Sequence, residues 1–127
     1  MTTNADFGLS RIGQISVRAK DLAASVAFYR DQLGIPFLFE APPKMAFFQC
    51  GEVRLLVGEP EAEFDHPSSV LYFRVDDVAA AYEALKGRGV EFKDEPHLVH
   101  KAEGYELWMT FFTDPAGNTL ALMSEKR

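Results

Sequence analysis

Cysteine occurs once in the 127 residues, at Cys50, so no disulfide can form within the chain and a reducing compartment suits it. Long apolar runs are missing too: nothing approaches the roughly 20 residues that cross a bilayer. The opening Met1-Thr-Thr-Asn-Ala-Asp6 has neither the basic nor the apolar region of a secretory signal. The expectation is a cytoplasmic protein with no membrane partner. Basic residues are outnumbered, 13 Lys and Arg against 19 Asp and Glu, for a net charge of −6. That argues against a nucleic-acid partner, because phosphate binding needs a basic stripe. The acidity suits solubility and is compatible with a neutral or cationic small ligand.

What the chain does have is apolar substance: 47% of its residues are hydrophobic and 13% aromatic, enough to exclude a disordered chain. Residues 1–127 therefore read as one domain able to bury a core. Within it one pattern occurs twice. Ile15-Ser-Val-Arg18 leads to Asp21-Leu-Ala-Ala-Ser-Val-Ala-Phe-Tyr29, then Leu33-Gly34 and Phe37. Leu71-Tyr-Phe-Arg74 leads to Asp77-Val-Ala-Ala-Ala-Tyr-Glu-Ala-Leu85, then Arg88-Gly89 and Phe92. Arg18 and Arg74 are 56 positions apart, as are Asp21 and Asp77. Such self-similarity at a fixed period sets the architecture: repeat one at about 9–60, a linker at about 59–69 and repeat two at about 70–124.

Residues 11–18 alternate, with Ile15 and Val17 apolar and Gln14, Ser16 and Arg18 on the other parity, which predicts a strand. Asp21 is a helix N-cap for residues 22–33, and Gly34 supplies the left-handed stop. Strands are predicted at 36–40, 45–50 and 53–58, with Pro42-Pro43 and Cys50-Gly51-Glu52 as turns. The second half repeats the order: a strand at 70–75, a helix at 77–87, then strands near 90–93, 107–113 and 118–123. Asp114-Pro-Ala-Gly117 is a tight turn. The result is an α+β fold of two βαβββ units.

These motifs, above all the run over 15–34 and Asp114-Pro-Ala-Gly-Asn-Thr-Leu120, resemble the vicinal oxygen chelate superfamily of glyoxalases, bleomycin-resistance proteins and extradiol dioxygenases. The resemblance implies a mixed sheet curled into a cup, helices outside, and closure with a partner into a homodimer. It also implies metal ligands on the first and fourth strands of each unit. Counting from the capping Asp gives Gln14 and Val70; counting from the last turn gives Leu55 and Ala121. Only Gln14 carries a donor atom, so no metal and no cofactor is expected.

The cup retains Gln14, Ser16 and Arg18 from one repeat and Tyr72 and Arg74 from the other. Phe47, Met109, Phe111 and Met123 join them by family position. In glyoxalases an arginine at the place of Arg18 grips a substrate carboxylate, and a guanidinium fork suits that task. The competing reading is that Arg18 pairs at a strand end with Asp21, Asp76 or Asp77, and for Arg74 this is the preferred one. Trp108 is expected to pack under the helices. Cys50 reads as a buried hydrophobe rather than a nucleophile, and His66 as exposed.

Repeat two is longer: residues 93–106 read as an added rim segment, with His97, His100, Glu103, Tyr105 and Glu106. An odd separation points the two histidines to opposite strand faces, so one of them acting alone as an acid or base over the cup is the catalytic candidate. Two function classes fit. The first is a binding module that holds a small organic ligand without a metal. The alternative is an enzyme of the lyase, isomerase or dioxygenase class using Gln14 with His97 or His100 and a rim carboxylate.

Overall fold

The structure, a computed structural model, describes residues 7–60 and 66–127. The acidic part of the linker, 61–65, and the first six residues lie outside that description. The elements run β1 (Gln14–Arg18), α1 (Leu22–Ala27), β2 (Phe37–Ala41), β3 (Met45–Cys50), β4 (Val53–Gly58), β5 (Leu71–Arg74), α2 (Val78–Gly87), β6 (His97–Ala102), β7 (Tyr105–Thr113) and β8 (Thr119–Lys126). They form two βαβββ units, as the repeat implied. The strands make two four-stranded sheets, ordered β1-β4-β3-β2 and β5-β8-β7-β6, which do not close on each other. Each is mixed: β1 lies parallel to β4 and β5 to β8, with the other pairs antiparallel.

The helix boundaries follow from local chemistry. Asp21 is extended and accepts from the Ala24 amide; Asp77 accepts from the Ala79 and Ala80 amides. Gly34 (φ 73°) and Gly89 (φ 89°) then turn the chain in the left-handed region that side chains disfavour. Between cap and stop the repeats differ. The helix expected over 22–33 leaves α geometry at Phe28, and Phe28–Gln32 forms a π turn in which the Leu33 amide donates to the Phe28 carbonyl. The wider turn brings consecutive residues, Phe28 and Tyr29, into the core together.

One buried cluster joins the halves: Val17, Phe48 and Val57 of the first sheet, Phe112, Leu120 and Leu122 of the second, with Phe28 and Tyr29 between. Ring contacts carry it across, with Phe28 to Phe112 at 6.5 Å and Tyr29 to Phe48 at 6.0 Å between centroids. Two polar links reinforce it. Gln32 and Arg88, from the ends of the two repeats' helices, exchange hydrogen bonds, each side chain donating to the other's carbonyl at 2.9 and 3.1 Å. Asn118 donates to the Arg18 carbonyl at 2.6 Å. Among the described residues, no helix is long and apolar enough to cross a membrane.

The second repeat departs from the sequence reading at its second strand. The strand expected at 90–93 is only a single bridge between Phe92 and Phe112. The unit's second strand is β6, at 97–102, within the stretch read as an addition. The cause is Asp94, whose carboxylate accepts from the Thr110 hydroxyl at 2.8 Å and the Phe111 amide at 2.9 Å. It pins the chain to β7 where a ladder would otherwise begin.

Candidate functional site

Alternation assigns each strand a covered face and an inner face. In the first sheet Val17, Leu55, Val57 and Phe48 are buried against α1. Their neighbours form three rows on the inner face: Gln14 beside Arg54 and Gln49, Ser16 beside Leu56 and Phe47, and Arg18 beside Gly58 and Met45. In the second sheet Tyr72 lies beside Ala121 and Phe111, and Arg74 beside Met123, Met109 and His97. The inner faces thus carry the nominated cup residues and both histidines, but not the rim carboxylate Glu106. They are divided, with Gln14, Ser16, Arg18 and Phe47 on one sheet and the other seven on its repeat mate.

Register moves one position. Leu55 is 2% exposed in the core; the first-repeat residue paired to Ser16, as Ala121 is to Tyr72, is Leu56. A one-residue slip exchanges the faces of a strand. The turn before β4 has two residues, Gly51 and Glu52, whereas the loop before β8 has five, so the glycine sits differently in each hairpin and counting forward from it misaligns the strands. The positions that the resemblance assigns to metal are therefore Gln14, Val70, Leu56 and Ala121. Among the described residues no three His, Cys, Asp or Glu side chains gather to hold a metal ion.

Aromatic rings occupy the middle of both inner faces. Phe39 stacks on Phe47 at 4.8 Å and 29°, and the Arg54 guanidinium lies 5.8 Å from the Phe47 centroid. In the second sheet Phe111, the repeat mate of Phe47, meets Tyr72 edge-on at 6.0 Å and His97 nearly parallel at 6.4 Å. Phe39 and Tyr72 are 46% and 48% exposed, a large apolar surface left to solvent. Arg54, Leu56 and Phe39 were not nominated from the sequence, although the two-residue Gly51-Glu52 turn fixes the register that places the first two.

The histidines are not split between faces. An irregularity at Val99 pairs His97 with Met109 and His100 with Leu107, two residues of the same parity on β7. A bulge adds one residue and restores the odd-spaced pair to a common face. Both are exposed; His97 Nδ1 lies 3.0 Å from the Glu95 carbonyl, and the His100 ring 6.3 Å from Tyr105. Glu106 pairs across β6 with Lys101, on the opposite parity from Leu107 and His100, and accepts from the Trp108 indole at 2.9 Å. Trp108 packs against the core, as expected, with Lys126 5.0 Å over its ring. Arg74 bonds Glu125 at 3.2 Å, an exposed pair with a different carboxylate from the three proposed. Cys50 is half-buried, and burial raises its thiol above its usual range. His66 is exposed, with Nδ1 3.0 Å from the Pro67 carbonyl.

Comparison with known proteins agrees with this architecture. The family model "Glyoxalase/Bleomycin resistance protein/Dioxygenase superfamily" matches residues 11–122. The uncharacterized protein YraH of Bacillus subtilis is 28% identical over 123 residues, covering 86% of this chain and 94% of its own. Among solved structures, a lactoylglutathione lyase from Agrobacterium tumefaciens is similar at 24% identity and TM-score 0.71, covering 92% of this chain and 95% of its own. TnmS3, an antibiotic binding protein from Streptomyces sp. CB03234, is similar at 22% identity and TM-score 0.73, covering 93% and 98%. At these identities the two structures speak for the fold, while the family match spans nearly the whole chain. The chain belongs to the glyoxalase/bleomycin resistance protein/dioxygenase superfamily.

Proposed function

We propose that this chain is a binding protein for a planar organic molecule, held between aromatic side chains without a metal ion. The observation that carries the reading is the residue set on the inner faces. Where the family resemblance implies four metal ligands, this chain has one amide, Gln14, with Val70, Leu56 and Ala121. The row neighbour of Gln14 is the cation Arg54. One neutral oxygen beside a guanidinium does not fit a divalent ion. In place of ligands the faces offer Phe39–Phe47 and Tyr72–Phe111–His97, geometries that accept a flat ring by stacking.

The site is completed by a second copy. β1 and β5 are edge strands of separate sheets, and Ile12, Val70 and Tyr72 beside them are 65%, 40% and 48% exposed. Edges with exposed apolar residues are templates for association. Light scattering on purified protein should give about twice the 14.2 kDa chain mass; a monomer at every concentration would refute the shared site.

For ligand binding, a thermal-shift screen over planar drugs and aromatic acids identifies a stabilising compound, and calorimetry then compares variants. Phe47→Ala and Phe111→Ala should each weaken it about tenfold, the scale of one lost ring contact. Unchanged affinity in both variants would mean that the inner faces are not the site.

A further inference from the structure

A cavity of about 310 Å³ lies away from both inner faces, between α2, the covered side of β5 and the Leu33–Ile35 turn of repeat one. Its floor is apolar: Phe73, Leu85, Phe112 and Leu122, with Ala81 and Ala84 along the helix. The repeat explains why it exists. Ala84 and Leu85 stand where repeat one has Phe28 and Tyr29, which are 4% and 0% exposed and fill the corresponding space. Tyr29 is held there by its hydrogen bond to Asp114. Smaller residues on a straight α2 leave that volume open.

Two arginines, Arg74 and Arg88, also line the cavity. Arg88 donates one N–H to the Gln32 carbonyl, a neutral partner, and a guanidinium has five. Glu125, the carboxylate that meets Arg74, is shared with Arg127. The carbonyl end of α2 brings about half a negative charge, less than the full positive charge of the Arg88 guanidinium. A cavity of roughly 150 Å³ is large enough for benzene, so this one has room for a longer apolar body.

We infer that this cavity is a second ligand site, for an amphiphilic monocarboxylate whose apolar body lies on Phe112 and Leu122 and whose carboxylate meets Arg88. The cavity borders the inner-face row only at Arg74, while Arg88 and the α2 lining are its own, so the two sites report separately by methyl NMR. Octanoate titrated into the full chain should shift the Leu85 and Leu122 methyls saturably and leave Met109 and Met123 unmoved. Arg88→Gln should weaken octanoate about tenfold without changing the binding of 1-octanol. Ala84→Phe, which restores the repeat-one residue at the mouth, should abolish both. Absence of saturation, shifts confined to the methionines, or 1-octanol binding the wild type as tightly as octanoate would each overturn the assignment.

Discussion

Asp114→Ala is expected to lower stability by about 4 kcal/mol, the scale of losing several hydrogen bonds to a charged group while buried donors go unpaired. The carboxylate is 6% exposed and accepts four bonds: from the Tyr29 hydroxyl at 2.6 Å, the Ala116 and Asn118 amides at 2.9 Å, and Asn118 Nδ2 at 2.8 Å. It thus ties the π turn of the first unit to the last turn of the second, and Asn118 carries the link on to the Arg18 carbonyl. In a chain of this size the melting temperature should fall by roughly 10–15 °C. Tyr29→Phe removes one of the four bonds and should cost about 1.5–3 kcal/mol, the range for one hydrogen bond to a charged group. Equal losses in the two variants would show that Tyr29 carries the whole effect. Burial, then the charge of Asp114, raises the Tyr29 phenol far above its ordinary range. Its proton therefore stays on in the folded chain while the unfolded chain loses it above pH about 10. The contribution is intact below that pH and is lost as pH rises beyond it.

Phe112→Ala is expected to cost about 3–5 kcal/mol, the range for removing a fully buried ring. Phe112 is 0% exposed, meets Phe92 at 5.2 Å and Phe28 at 6.5 Å, and so joins the second sheet to the first unit's helix. It also forms part of the floor of the 310 Å³ cavity, which the substitution would enlarge. Chemical denaturation measures the loss. A change under about 0.5 kcal/mol, the size of an ordinary surface substitution, would contradict the single shared core. Restoring much of the stability with octanoate would link this core position to the second site.

The repeat made the fold legible because its signals are local. Asp21, Gly34, Asp77 and Gly89 each act through their own backbone, and alternation in Gln14–Arg18 and Leu71–Arg74 shows in either copy alone. The displaced β6 was not legible because Asp94 acts on Thr110 and Phe111, sixteen and seventeen residues away. The histidine faces were misjudged for a similar reason: strict alternation holds only for an unbroken ladder, and Val99 interrupts it. Leu56 stood one step from Leu55, hidden by unequal loops before β4 and β8. The π turn has no strong sequence signature; its effect appears only in the packing of Phe28 and Tyr29.

The enzyme alternative, Gln14 with a histidine and a rim carboxylate, draws no support from this geometry. Glu106, the rim carboxylate, lies opposite Lys101 on the other face from the histidines and is bonded to Trp108. Metal dependence is therefore the point on which the two readings part most sharply. The most direct measurement is calorimetric titration of the identified planar ligand into protein stripped with a chelator, then into the same protein resupplied with zinc, nickel or manganese. Binding by aromatic faces gives the same dissociation constant in all four samples. Loss of binding on stripping, restored by one metal at one equivalent per chain, would contradict it.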